Sequence, residues 1–184
     1  MKHADHEHKI FLHPGDFYFS DEPMHIHTIL GSCIAITLWH PVKKIGGMCH
    51  FVLEKRFVSM AASKKAGRYE ASNVKLDGRY ALDAMELFRR ALTARGTKFN
   101  QYQAKIFGGS NTLTNVINED EETVGMRNAE AAFNLVMESG AEIQVAHVGE
   151  SGHRRIVFDT DSGDVWVKHE AGDGHRLQSM SGTT

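Results

Sequence analysis

The chain holds only two cysteines, Cys33 and Cys49, in 184 residues. A disulfide-stapled secreted scaffold needs more, so both read as free thiols of a reducing compartment. Prolines number three, and no Pro-rich or Ser-rich linker or internal repeat divides the sequence. No apolar run approaches the roughly 20 residues of a membrane span, which excludes a transmembrane helix and direct membrane insertion. An excess of basic charge is also missing. Lys and Arg total 21 against 23 Asp and Glu, a formal net charge of −2, so there is no electrostatic footprint for nucleic acid. The N-terminal residues lack the apolar stretch and small-residue cleavage site of a secretory signal. These absences predict a cytoplasmic protein.

What is present is ordinary for a globular domain: 41% hydrophobic and 24% charged residues. The length suits one domain able to bury its own core. The expected organisation is a flexible tail over residues 1–9, a single domain over 10–170, and a flexible Gly-, Ser- and Thr-rich tail over 171–184. The 12 histidines gather towards the N-terminal third.

Residues 16–53 predict β structure. Asp16–Phe19, His25–Leu30, Ile34–Trp39 and Ile45–Leu53 are strand-like, and the last two flank a Pro41-Val42-Lys43-Lys44 turn as a hairpin. Residues 54–75 are polar and read as a long loop. Residues 77–95 predict a helix, because Ala81, Ala84, Met85, Phe88, Ala91 and Leu92 recur on one face. Asp77 is the expected N-cap and Gly96 the stop. Ala104–Phe107 reads as a strand. Residues 127–139 predict a second helix with Ala129, Ala132, Phe133 and Val136 inward. Glu142–Val148, Arg155–Phe158 and Asp164–Val167 complete the strands, the last two joined through Asp161-Ser162-Gly163. Strands do not alternate regularly with helices. The expected class is therefore α/β of the α+β kind, with mixed sheets flanked by two main helices.

The chemistry-bearing segment is Gly31-Ser32-Cys33, between two strand-like runs. A cysteine just past a glycine turn is presented beside free backbone N–H groups, as a thiol nucleophile with an oxyanion hole requires. Its thiol needs a base, and the hairpin brings His50 back beside Ile34–Trp39. Cys49 then faces away from His50 and packs. Zinc binding by His25, His27, Cys33, Cys49 and His50 is a competing reading, without metal-ligand spacing to support it. Gly108-Gly109-Ser110 lacks the rest of a phosphate loop and reads as a tight turn or close backbone packing. Arg127-Asn128 reads as a helix cap, and Arg154-Arg155 as a solvated strand edge.

Taken in order, several blocks resemble the CheD family, the chemoreceptor glutamine deamidases of bacterial chemotaxis. They are Leu30–Leu38, Lys44–Leu53, Lys105–Ser110, Gly125–Asn128, Gly149–Phe158 and Gly163–Lys168. The resemblance runs from about Pro14 to Lys168. It implies a β-sandwich-like fold with flanking helices and a cysteine hydrolase that needs no cofactor or metal. Cys33 matches the nucleophile and His50 the base, with Gly31 and Ser32 at the oxyanion turn. The third, hydroxyl-bearing member falls at His27 or its neighbour Thr28: either Thr28 fills it or His27 orients His50 instead. Cys49 departs from the family's usual asparagine. The implied substrate is a glutamine side chain on the cytoplasmic helices of a chemoreceptor, and a CheC-like phosphatase is an implied docking partner. Phe57–Lys75 and Gly108–Asn111 are the segments expected to read the receptor. A regulatory adaptor with little catalysis is the alternative function. Unusually fast alkylation of Cys33 at neutral pH is the expected mark of the enzyme.

Overall fold

The computed structural model describes residues 8–56, 75–111 and 123–170. The expected tails, apart from residues 8 and 9, and nearly all of the Phe57–Lys75 segment lie outside these residues.

Among the described residues nine strands form two sheets. The first contains β1 (Lys9–Phe11), β3 (His25–Leu30), β8 (His153–Asp159) and β9 (Val165–Glu170) in the order β1-β3-β8-β9. The second contains β2 (Phe17–Ser20), β4 (Ile34–His40), β5 (Ile45–Phe51), β6 (Gln103–Gly108) and β7 (Glu142–Val148) in the order β2-β5-β4-β6-β7. Helices α1 (Ala81–Ala94) and α2 (Val124–Ser139) cover the outer face of the second sheet. The class is the α+β one expected.

The layering explains the sequence pattern. β4 and β5 lie at the centre and are buried on both faces, so they read as continuous apolar or small-residue runs without alternation. Ile34, Ile36, Leu38, Cys49 and Phe51 face the helices, where they meet Phe88, Leu92, Ala132 and Val136. Ala35 and Met48 face the other sheet, meeting Ile26, Leu30, Ile156 and Phe158. Strand β3 covers only one face of that core, and it alternates accordingly.

Several boundaries differ from expectation. Lys9 belongs to β1, which pairs in parallel with β3; three residues in a polar context carry no strand signal of their own. Helix α1 starts at Ala81, and Asp77 does not cap it. Tyr80 is the N-cap, without a side-chain bond, while Asp77 is occupied with the Arg79 guanidinium. Helix α2 starts three residues earlier than predicted. Thr123 accepts from the Met126 N–H at 3.2 Å as its cap, so Arg127 and Asn128 lie within the helix and not at its start. Phe133, expected inward, is 42% exposed. The buried stripe instead runs Gly125, Asn128, Ala132, Val136.

Candidate active site

The β4–β5 hairpin pairs Ala35 with His50. Cys33 lies two residues before Ala35, on the same side of the sheet, one diagonal step from His50. Cys33 is partly exposed, whereas Cys49 is fully buried on the opposite face of β5. Burial pushes the Cys49 thiol up to about 12, so it packs as an inert small hydrophobe.

His50 is 2% exposed and sits where the two sheets meet. Strand β3 sends Ile26, Thr28 and Leu30 inward, and the Thr28 Oγ1 lies 2.8 Å from the His50 Nδ1. His27, adjacent in β3, alternates to the other face. The Thr28 hydroxyl also donates to the Leu12 carbonyl at 2.8 Å. A hydroxyl carries one hydrogen, and a carbonyl can only accept. Both contacts are satisfied only if Nδ1 carries a hydrogen and donates it to Thr28. The tautomer is thereby set, and Nε2 keeps its lone pair. Nε2 is buried and has no hydrogen-bond partner. The imidazole's backbone is held too: the Gly15 N–H donates to its carbonyl at 2.7 Å, and its N–H donates to the Asp16 carbonyl at 3.0 Å.

Burial pushes the His50 pKa down to about 4, against opposing pulls from the Leu12 carbonyl and the Asp16 carboxylate; His13 adds to the lowering. The ring is therefore a neutral base at physiological pH. The sign for stability follows from linkage. The unfolded chain takes up a proton on this histidine near pH 6.5, and the folded chain only near 4, so the unfolded state binds more protons between these values. Stability contributed at this site is intact above pH 6.5 and falls with acid by at most ~3 kcal/mol. Urea titrations at pH 7.5 and 4.5 check this: wild type is expected to lose about 2 kcal/mol more than His50→Gln over that interval.

The Cys33 thiol is raised above its ordinary value, chiefly by burial, with its own backbone N–H opposing. At rest the thiol and the imidazole are thus both neutral. A thiol raised in this way is protonated at neutral pH and relies on a neighbouring base to become reactive.

The turn carrying Cys33 is held by its carbonyl groups. The Ser110 N–H donates to the Gly31 oxygen at 2.9 Å and the Gly109 N–H to the Cys33 oxygen at 2.9 Å. The Asn128 Nδ2 donates to the Ser32 oxygen at 3.0 Å. In a trans peptide the N–H points opposite to the C=O. The Ser32 and Cys33 N–H groups therefore point away from the β6–α2 body, and neither donates to another backbone group among the described residues. Gly108-Gly109-Ser110 is the backing of this turn. At Gly108 (φ +114°) a Cβ would lie 2.0 Å from the Cys33 oxygen. Ser110 is fully buried, so most of the Gly108–Asn111 segment is internal and does not offer a surface for reading a receptor.

Arg154 is also internal. It was expected at a solvated strand edge but has no exposure. It shares strand parity with Ile156 and Phe158 and points inward from β8, where its guanidinium donates to the carbonyl groups of His147 and Gly149 and to the Ser110 Oγ. Arg155 is exposed. The zinc reading does not assemble: His25 and His27 share the face of β3 opposite Thr28, Cys49 faces away from His50, and no cluster of three ligands occurs among the described residues. Sequence reasoning missed the Leu12 carbonyl, which no side-chain pattern reveals. It also missed the Asn128 amide, which was visible in the spacing with Ala132 and Val136.

Fold and site together define an α+β domain in which a histidine and a threonine meet between two sheets, with a cysteine on the turn that leads into the strand beside that histidine. The chain belongs to the CheD family. The family model for CheD chemotactic sensory transduction matches residues 63–169. The region carrying Cys33 and His50 precedes that span but is covered by relatives. The chain is 40% identical over 175 residues to the "Probable chemoreceptor glutamine deamidase CheD 3" of Dechloromonas aromatica (strain RCB), covering 95% of each. It is 39% identical over 163 residues to a protein of that kind from Pseudomonas savastanoi pv. phaseolicola, covering 88% of this chain and 85% of the relative. It is 41% identical over 157 residues to another from Albidiferax ferrireducens, covering 85% and 84%.

Proposed function

We propose that the protein is a protein-glutamine glutaminase that converts glutamine side chains of chemoreceptors to glutamate, with Cys33 as nucleophile, His50 as base and Thr28 as the residue orienting it. The 2.8 Å contact between the Thr28 Oγ1 and the His50 Nδ1 carries this reading, because it leaves an unprotonated Nε2 on the side of the sheet that holds Cys33. The names of the relatives support the substrate class.

In the reaction, Nε2 takes the Cys33 proton as Sγ attacks the amide carbon. The Ser32 and Cys33 N–H groups receive the oxyanion. The imidazolium returns its proton to the departing nitrogen, since an amide nitrogen leaves poorly without an acid. Ammonia departs and a thioester remains. Water then gives a proton to Nε2 and attacks the thioester, restoring the thiol and yielding glutamate. The cytoplasm is the proposed site of action; no helix among the described residues is long and apolar enough to cross a membrane.

The first test is ammonium release from a receptor cytoplasmic fragment, with and without prior alkylation of Cys33 by iodoacetamide. Release that alkylation abolishes supports the enzyme. Tight binding to the fragment or to a CheC-like phosphatase, with no release, supports the adaptor instead. Thr28→Val probes the tautomer argument. It keeps the shape and removes the acceptor for Nδ1, and kcat is expected to fall about 10³-fold with KM little changed. Steady-state kinetics on the same fragment measure it.

A further inference from the structure

Helix α2 brings one polar side chain to the back of the nucleophile turn. Asn128 is 1% exposed. Its Nδ2 donates to the Ser32 carbonyl at 3.0 Å and to the Val52 carbonyl at 2.7 Å. Both partners are acceptors only, so the amide orientation is determined by them. Both amide hydrogens are therefore spent, one on the nucleophile turn and one on the segment leaving β5, two residues past His50. The Oδ1 is buried and has no partner. An apolar side chain here would take the donor from both the Ser32 and the Val52 carbonyl, so the amide is kept for these two bonds and not for packing alone.

The anchor itself is rigid. At Gly125, one turn earlier in α2, a Cβ would lie 2.5 Å from the Gly109 oxygen and 2.6 Å from the Ser110 oxygen. The helix backbone thus rests directly on the loop that holds the Gly31 and Cys33 carbonyls. Of the three carbonyl groups in the turn, the Ser32 one alone is held by a side chain.

We propose that Asn128 is a positioning residue for the deamidation reaction. By holding the Ser32 carbonyl inward it aims the Cys33 N–H at the developing oxyanion, and by holding Val52 it keeps the base strand in step with the nucleophile turn. The inference rests on the deamidase reading and adds a residue to it. Asn128 touches neither the substrate nor the thiol; it acts through the Ser32–Cys33 peptide.

The test compares wild type, Asn128→Ala and Asn128→Asp as full chains. Asp preserves the volume and, as the neutral acid that burial favours, carries one donor hydrogen in place of two. Two readouts are needed. The first is kcat and KM for glutamine conversion in a receptor cytoplasmic fragment. The second is the rate of Cys33 alkylation by iodoacetamide, which requires a thiolate but no oxyanion hole. The expected result is a kcat lowered about 10²-fold in both variants, with KM and the alkylation rate within about twofold of wild type. Turnover and alkylation that rise or fall together would overturn the proposal, since a loosened turn changes both. Unimpaired kcat in Asn128→Ala would also overturn it, and failure of both variants to fold would assign the amide to structure alone. Inactivity of the wild type would instead contradict the deamidase reading beneath it.

Discussion

His50→Gln is expected to lower glutamine conversion by about 10⁴-fold while leaving the protein folded at neutral pH. Burial raises the Cys33 pKa, so as the proposed nucleophile it must lose its proton as it attacks. His50, the proposed base, is held neutral by a pKa pushed down to about 4. Gln fills a similar space and can still meet the Thr28 hydroxyl, but it accepts no proton. Turnover by the wild type should be nearly flat with pH from about 5 to 8, because neither group titrates there. A rate that climbs through a midpoint near 6.5 would contradict the buried, neutral imidazole.

The second large effect is structural. Gly108→Ala is expected to destabilise the fold by about 3–4 kcal/mol, lowering Tm by roughly 10 °C, and to abolish conversion. The residue has φ +114°, and a Cβ there would lie 2.0 Å from the Cys33 oxygen. The clash is with backbone on both sides, so no side-chain rotation relieves it. Relief requires the Cys33 carbonyl to swing away from the Gly109 N–H, which rotates the nucleophile turn. Thermal unfolding and conversion assays on the same preparation measure both effects. Near-wild-type Tm would show that the turn and its backing loop are less closely packed than these distances state.

Much of this site is legible in the sequence, and the rest fails for identifiable reasons. The hairpin from Ile34 to Phe51 announces itself by apolar runs around a proline-containing turn, and pairing alone brings Cys33 near His50. The choice between His27 and Thr28 stays open when residues are taken singly. Strand parity separates them: Thr28 shares its face with Ile26 and Leu30, both buried. The same parity, applied to Ile156 and Phe158, places Arg154 inside; charge suggested solvent, and buried carbonyl partners prevailed. Asn128 reads as a cap in the sequence because apolar periodicity passes over a polar residue in the buried stripe of a helix, and the helix begins at Val124 instead. The Leu12 carbonyl and the outward N–H groups of Ser32 and Cys33 have no sequence signal. Their directions depend on partners as distant as Ser110 and Asn128.

Amide hydrolysis on a receptor is the proposed work of Cys33. It is tested most directly by mass spectrometry of a chemoreceptor cytoplasmic fragment after incubation with the wild-type protein and, in parallel, with Cys33→Ala. The account predicts amide-to-acid conversion at specific glutamines with the wild type and none above background with the variant. Equal conversion by both proteins, or none by either while the fragment stays bound, would contradict it.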